Sequence, residues 1–450
     1  MAEKKTKISG WGNFPSSTAY LSRPERYQQL KFEEGRKTIA RGLGRSYGDA
    51  ALNSEQDVIL MERLNRFLAF DEEKGLLRAE AGTALEEILD IFVPRGWFLP
   101  VTPGTKFVTL GGCFAADIHG KNHHVDGSFC EHVQEIELIM ANGARRRCSP
   151  ERDPELFWAT AGGMGLTGII TEVTLRLVPV KSAYVFVAHH SAADLDHIFD
   201  LLNDPKLDDR YSVAWIDCVS TGKNFGRSVL MAGHHAAPDE IPKVKNPLKF
   251  RPAAKRSIPF DFPSFALNSW SVKAFNEMYY RLQSSKSAPF ITDYDHYFYP
   301  LDAINGWNRL YGKKGFLQYQ FVLPTKTARQ GMRELLGQLT KSQRASFLAV
   351  LKRFRKENAG MLSFPREGYT LALDIPISDV GLFSFLDELD EVVLKYGGRI
   401  YLAKDARMKP NTFHAMYPRL EEWKRVKSQC DPNWLFSSDL SRRLQMEDGP

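Results

Sequence analysis

The sequence predicts an α+β protein of two domains. Its 450 residues exceed one ordinary core. Over the first 180 residues, short strand-like and helix-like runs alternate with three glycine-rich segments. That pattern fits an α+β ligand-holding domain better than a regular βαβ series. After Pro179 the chain turns aromatic-rich as far as Gly397-Gly398, which sets boundaries at 1–182, 183–398 and a tail of 399–450.

The elements follow in order. Thr38 to Ala40 reads as a short strand leading into Arg41-Gly-Leu-Gly-Arg-Ser-Tyr-Gly-Asp49. Gly42, Gly44 and Gly48, with Leu43, Ser46 and Tyr47 between them, suit a backbone nest whose amides point at phosphate oxygens. Arg41 and Arg45 add charge-assisted donors. A glycine-rich hairpin loop is the alternative. The spacing is neither a Walker loop, which ends Gly-Lys-Ser/Thr, nor the G-x-G-x-x-G fingerprint that opens a helix. Val58 to Met61 and Leu76 to Ala81 are further strands. Thr83 and Glu86 form a capping box for a helix through about Phe92, which Pro94-Arg-Gly96 ends.

Residues 101–124 are the densest stretch. A Pro103-Gly104 turn is followed by Thr109, Leu110, Gly111 and Gly112, then by Ala116, Asp117, Ile118, His119, Lys121, His123 and His124. Small residues let a backbone approach a flat or phosphorylated ligand, and ionisable groups follow at once. A tight turn beside surface or core histidines is the bland alternative. A zinc site is disfavoured, because the spacing matches no known ligand pattern and no cysteine pair stands at zinc spacing.

Glu135 to Met140 predicts a strand with a hairpin turn at Asn142-Gly143. Asp153-Pro154 starts a helix carrying Leu156, Phe157 and Trp158. The third glycine-rich segment, Gly162 to Gly168, precedes a strand from Ile169 to Val178 whose Val173, Leu175 and Leu177 alternate. Tyr211 to Cys218 and Phe316 to Leu323 are strands of the second domain. Six basic and no acidic residues lie from Lys243 to Arg256, before Pro259, Phe260, Phe262, Pro263, Phe265 and Trp270. A basic run beside aromatics suits an anionic membrane surface; a solvated loop next to core aromatics is the alternative. Arg399 to Ala403 predicts a strand that delivers Lys404 and Asp405. The tail carries Met416-Tyr-Pro-Arg419, a helix through Trp423, and Asp431-Pro432 before Phe436.

Composition narrows the function classes. Apolar residues at 43% and charged residues at 25% are ordinary for a soluble globular protein. A net charge of +6 is mild and does not argue for nucleic acid, which needs a concentrated basic face. Cysteines 113, 130, 148, 218 and 430 are odd in number and scattered, which reads as reduced thiols in a cytosolic setting. The polar start, Met1 to Lys7, carries no secretory signal, and no run of eighteen apolar residues occurs, so no membrane span is expected.

The segments 40–49, 117–124, 156–160, 165–170, 315–321 and 401–405 together closely resemble the decaprenylphosphoryl-β-D-ribose 2-oxidase family, the flavin half of the decaprenylphosphoryl-ribose 2'-epimerase, within the vanillyl-alcohol-oxidase-type flavoproteins. The resemblance runs from about Gly10 to Leu444. It implies an α+β, two-domain fold in which FAD is held by residues 1–182, completed by 399–450, with an antiparallel-sheet substrate domain over the flavin. It implies FAD contacts at Arg41, Gly42, Leu43, Gly44, Arg45, Ser46, Tyr47, Gly48, Gly104, Thr109, Leu110, Gly111, Gly112, Ala116, Asp117, Ile118, His119, Ile170 and Tyr401. Many relatives bond the flavin covalently through a histidine beside the serine of the pyrophosphate loop. Arg45 stands there, so non-covalent FAD is expected.

The resemblance also places Tyr47, His119, Lys121, Gln318, Gln320, Lys352 and Lys404 around the substrate. Lys404 or His119 would receive or steer the hydroxyl proton, with Tyr47 and Gln320 in the catalytic group, while Lys121 and Lys352 suit a phosphate. No metal is expected. The implied reaction oxidises the C2 hydroxyl of a polyprenylphosphoryl-β-D-ribose to the 2-keto sugar, the first half of an epimerisation to the arabinose donor of cell-wall glycan. An NADH-dependent short-chain reductase would complete it, and membrane contact would be peripheral. The alternative is an alditol or aldonolactone oxidase acting on a soluble sugar. The chain departs from the family at Ala372, where the actinobacterial enzymes carry the cysteine that nitro-aromatic inhibitors attack.

Overall fold

The computed structural model describes residues 4–250, 256–262, 269–286, 288–344, 346, 348–377 and 379–447. The strands are β1 (Lys4–Ser9), β2 (Ser16–Ser22), β3 (Thr38–Arg41), β4 (Asp57–Leu60), β5 (Phe67–Asp71), β6 (Leu76–Glu80), β7 (Val133–Ile139), β8 (Arg145–Cys148) and β9 (Ile169–Arg176). They continue with β10 (Tyr184–Ala192), β11 (Tyr211–Ile216), β12 (Ser228–His235), β13 (Phe290–Asp293), β14 (Phe316–Pro324), β15 (Ala349–Phe354), β16 (Gly368–Pro376) and β17 (Arg399–Ile400). Among the described residues they form three larger sheets. The first has the order β1-β2-β4-β3, and the second is antiparallel, β5-β6-β9-β7-β8. The third is antiparallel, β13-β10-β12-β11-β15-β16-β14-β17.

The large sheet positions the site through its period of two. On β14, Leu317, Tyr319 and Phe321 are buried in the core, with Phe321 and Leu317 sharing the layer of Leu335 and Leu386. The longer helices, with the last short one of the tail, are α1 (Leu85–Phe92), α2 (Leu110–Ala115), α3 (Pro154–Thr160), α4 (Leu195–Asn203), α5 (Ser269–Ser284), α6 (Thr325–Ser342), α7 (Leu382–Lys395), α8 (Pro410–Met416), α9 (Leu420–Cys430) and α10 (Asp439–Arg443). The two leucines belong to α6 and α7, which pack on β14. Gln318 and Gln320 alternate onto the opposite face, as do Val350 and Lys352 on β15 and Val213 and Trp215 on β11. All six line one cavity. The first two sheets stand across that cavity. The tail returns to them: Thr38 pairs with Phe436, and buried Lys427 donates to the carbonyls of Leu166 (2.6 Å) and Phe436 (2.9 Å) and to Asp431.

Two local expectations are corrected. Helix α1 spans Leu85–Phe92, and its first amide group is held by Glu87, whose Oε2 accepts from the Ala84 N–H at 2.7 Å; the Thr83–Glu86 box does not form, because Thr83 is sealed in the core. The strand expected over 399–403 is shorter. After Ile400 the chain turns, with the N–H groups of Lys404 and Asp405 both donating to the Tyr401 carbonyl. Lys404 therefore sits on a tight turn, not at a strand end. The five cysteines are free thiols, and among the described residues no helix is long and apolar enough to cross a membrane.

Candidate active site

The cavity has a volume of about 420 Å³, within the range of small-molecule sites. Its first wall is built from the three glycine-rich segments. In the loop after β3, Gly42 to Tyr47 border the cavity. Tyr47 N–H donates to Ala403 O (3.0 Å) and Trp11 N–H to Ser46 O (2.8 Å), which ties the loop to the Lys404 turn and to the N-terminus. Of the two arginines, Arg45 borders the cavity. Its guanidinium lies 3.9 Å from the Trp11 ring centroid and its buried Nε has no protein partner. Arg41 braces the loop from behind, donating to Ser9 O (2.7 Å) and Ala51 O (3.1 Å). Gly48 is also behind the wall: a Cβ there would stand 1.6 Å from Asp405 O.

The second segment supplies Gly104, Thr109, Gly111, Gly112, Ala116, Ile118, His119 and Lys121. Thr109 caps helix α2 (Leu110–Ala115), its hydroxyl accepting from the Gly112 N–H at 3.3 Å. A Cβ on Gly42 would reach that hydroxyl at 2.3 Å, so the two loops close only because one residue lacks a side chain. Leu110 is a core residue. Asp117, at φ 39°, is a buried hub that accepts from Cys130 N (3.1 Å), Asn358 Nδ2 (2.7 Å) and Ser363 Oγ. Leu110 and Asp117 hold the wall rather than form it. The third segment contributes Met164, Gly165 and Gly168, β9 adds Ile170, and Tyr401 closes this side, its hydroxyl donating to Ala116 O at 2.8 Å.

The three histidines do not converge. His119 Nε2 lies 2.9 Å from Gln320 Nε2, His123 Nδ1 accepts from the Arg355 N–H, and His124 Nε2 meets Asp209 O.

The opposite wall is polar at its base and apolar toward its rim. Gln318 Nε2 donates to Asp374 Oδ1 at 2.6 Å, and Tyr311 OH donates to Oδ2 at 3.3 Å. Lys404 Nζ lies 4.0 Å from the Tyr47 ring centroid, and Lys121 Nζ donates to Tyr297 O while lying 3.9 Å from that ring. Val213, Trp215, Met231, Tyr279, Leu348, Val350 and Ala372 form the apolar part.

Burial sets the charge states. It pulls the Lys404 and Lys121 ammonium groups down to about 7 and Lys352 down to about 8; the Lys352 charge adds to the first two shifts, while Asp374 opposes it at Lys404. Burial, with the Lys352 charge behind it, holds His119 well below the usual imidazole range, so its ring is neutral. Burial lifts Asp374 to about 7. Among the described residues, the cavity is lined by Arg45, Lys121, Lys352 and Lys404 against the single carboxylate of Asp302.

Asp374, Thr370, Tyr279 and Asp302 were not singled out from sequence. Alternation along β16 puts Thr370, Ala372 and Asp374 on the face of Gln318 and Gln320. The pairing of β16 with β14 is the signal that finds Thr370 and Asp374.

The first wall fits a dinucleotide. Among the described residues, the backbone N–H groups of Leu43, Gly44, Arg45 and Ser46 have no protein acceptor, beside an arginine whose Nε is unpaired. Comparison with known proteins agrees. Residues 30–149 match the FAD binding domain family model and residues 315–444 the D-arabinono-1,4-lactone oxidase model. Fold and cavity together define an FAD-dependent oxidoreductase of the two-domain, vanillyl-alcohol-oxidase type.

The chain is 40% identical to a decaprenylphosphoryl-β-D-ribose oxidase of Mycolicibacterium smegmatis over 98% of its own length and 97% of that protein. It is 30% identical to a putative D-arabinono-1,4-lactone oxidase of Neurospora crassa over only 36% of its length and 29% of that protein. A human Δ24-sterol reductase is 28% identical over 27% of this chain and 24% of that one. The chain belongs to the decaprenylphosphoryl-β-D-ribose oxidase family.

Proposed function

We propose that this enzyme oxidises the C2 hydroxyl of a polyprenylphosphoryl-β-D-ribose to the 2-keto sugar. One observation carries the reading: a cavity with four basic side chains, Arg45, Lys121, Lys352 and Lys404, against one carboxylate, running into an apolar wall of Val213, Trp215, Met231 and Tyr279. Such a lining suits a substrate that is anionic at one point and hydrocarbon beyond it. A free polyol or lactone, the competing reading, needs neither.

Bound FAD supplies a hydride-accepting ring. The loop 42–47, with the amides of Leu43 to Ser46, would hold its pyrophosphate, while Gly104, Gly111, Gly112, Ala116, Ile118, Ile170 and Tyr401 would seat the rest. Arg41, Gly48, Leu110 and Asp117 keep that seat in shape. Lys121 and Lys352 pair with the phosphate. Lys404, whose ammonium gives up its proton near 7, takes the hydroxyl proton as the free amine while the C2 hydrogen leaves with its electron pair. Tyr47 keeps the Lys404 chain in place through its ring face, and Gln318 and Gln320 orient the sugar. The keto product requires a separate NADH-dependent reductase to complete an epimerisation.

Contact with a membrane would be peripheral. Helix α5 (Ser269–Ser284) presents Trp270, Met278 and Leu282 at helical spacing, all strongly exposed (Trp270 84%), beside exposed Lys273 and Arg281. Phe260 is exposed nearby in sequence. Arg251, Lys255, Pro263 and Phe265 of the basic and aromatic run lie outside the described residues. Anaerobic flavin bleaching tests the function: farnesylphosphoryl-β-D-ribofuranose should bleach the holoenzyme, and xylitol and arabinono-lactone should not. Bleaching by the soluble compounds alone would reverse the assignment.

A further inference from the structure

Donor and acceptor bookkeeping behind the cavity fixes the orientation of one amide. Thr370 Oγ1, on β16, donates to Phe321 O at 2.8 Å. A hydroxyl has one hydrogen, so toward Gln320, 3.2 Å away, it has only lone pairs left. The Gln320 atom facing it must be the NH2 group. That nitrogen also lies 2.9 Å from His119 Nε2, and its second hydrogen makes His119 Nε2 an acceptor. The His119 proton is then on Nδ1, which is buried and has no protein acceptor; the imidazole centroid lies 4.9, 5.3 and 5.6 Å from the ring centroids of Phe354, Tyr401 and Phe364. A buried N–H among aromatic rings has π faces as its weak acceptors.

All three residues are buried: Thr370 at 0%, Gln320 at 3% and His119 at 6% exposure. With both amide hydrogens spent, Gln320 has one polar atom left, Oε1. Among the described residues it has no protein donor, and Gln320 lines the cavity. We propose that Thr370 and His119 are positioning residues that lock Gln320 with its NH2 inward and its carbonyl toward the cavity, as an acceptor reading a hydroxyl O–H of the sugar. The inference rests on the proposed substrate and sharpens it. Neither nitrogen of His119 is available as a base, which leaves proton transfer to Lys404. The alternative network, with Thr370 and His119 both donating to Oε1, would present the amide NH2 to the sugar and leave Phe321 O without its hydroxyl donor.

Two measurements on the FAD-loaded enzyme separate these arrangements. With 15N-histidine labelling, one ring should show an unprotonated Nε2 and a protonated Nδ1, and that signal should vanish in His119→Gln. Thr370→Val should shift it toward the Nε2–H tautomer, and Thr370→Ser should restore it. A protonated Nε2 in the parent, or a tautomer untouched by Thr370→Val, overturns the proposal. The second measurement is binding of the 2- and 3-deoxyfluoro analogues of farnesylphosphoryl-ribofuranose, in which fluorine accepts but cannot donate. At least one should bind roughly 10-fold more weakly than the parent sugar, because the buried acceptor is left unpaired. In Thr370→Val that discrimination should fall to within about 3-fold at normal FAD content. Full affinity for both analogues in the parent contradicts an acceptor at that point. The tautomer needs no sugar, so a failure of the substrate assignment would leave it standing and be recognisable as such.

Discussion

The Lys404 ammonium rests 4.0 Å above the ring of Tyr47, joining the turn after β17 to the glycine-rich loop after β3. The contact is reinforced by the backbone bond from Tyr47 N–H to Ala403 O. A lysine so held keeps one position, and burial keeps its proton labile.

Lys404→Ala should bind FAD at the parent level yet reduce it roughly 10² to 10⁴ more slowly, the range for losing a positioned proton-transfer group. In the parent, reduction should rise with pH through about 7 and level off above it, because the proposed proton acceptor is the free amine and burial lowers its ammonium to that point. Lys404→Arg should flatten the rise, since arginine stays protonated. Stopped-flow reduction against pH checks both statements.

The glycine-rich loop should fail with a branched side chain. Gly44 has φ 65°, and a Cβ there would stand 2.2 Å from Arg41 Nη2. Gly44→Val forces a β-branched residue into the left-handed region and dislodges the brace. Flavin absorbance per protein should drop to a small fraction of the parent. In the parent, acid should release intact FAD, because Arg45 offers no ring nitrogen for a covalent bond.

Arg443 is a structural prediction. From helix α10 (Asp439–Arg443) it donates to Asp49 and Asp405, all at 2.8 Å, and both carboxylates are buried. Arg443→Met leaves buried Asp49 without its cation and buried Asp405 with only its backbone donors, and should cost about 3–5 kcal/mol, read as a lowered denaturation midpoint. Asp405 adjoins Lys404, so FAD-loaded survivors should also reduce slowly.

The exposed stripe of α5 predicts lipid contact. Replacing Trp270, Met278 and Leu282 together by Gln should abolish sedimentation with anionic vesicles while leaving flavin content unchanged. In the parent, salt should weaken binding, since each basic residue near an anionic surface contributes roughly 1 kcal/mol.

Much of the cavity lining was legible because it is written locally. Gly42, Gly44 and Gly48 mark a loop that must pack backbone to backbone, and Gln318 and Gln320 sit two apart on a strand whose period puts them together. The rest is non-local. Thr370 and Asp374 matter only because β16 pairs with β14 in one register, and Arg443 only because the tail folds back some 390 residues onto Asp49. Arg41 and Arg45 look alike in sequence. Which one faces the cavity depends on the carbonyls of Ser9 and Ala51. The strand expected through Ala403 ends early because Tyr401 O turns back to accept from Lys404 and Asp405, whose carboxylate then caps Arg407 and Met408.

The proposed reaction breaks the C–H bond at C2 of a lipid-linked ribose. Single-turnover, anaerobic flavin reduction with farnesylphosphoryl-β-D-ribofuranose carrying deuterium at C2 tests it most directly. Bleaching should be several-fold slower than with the unlabelled sugar, with no slowing from deuterium at C3. Equal rates for the C2 label in a step shown to be chemistry, or slowing by the C3 label instead, would contradict it.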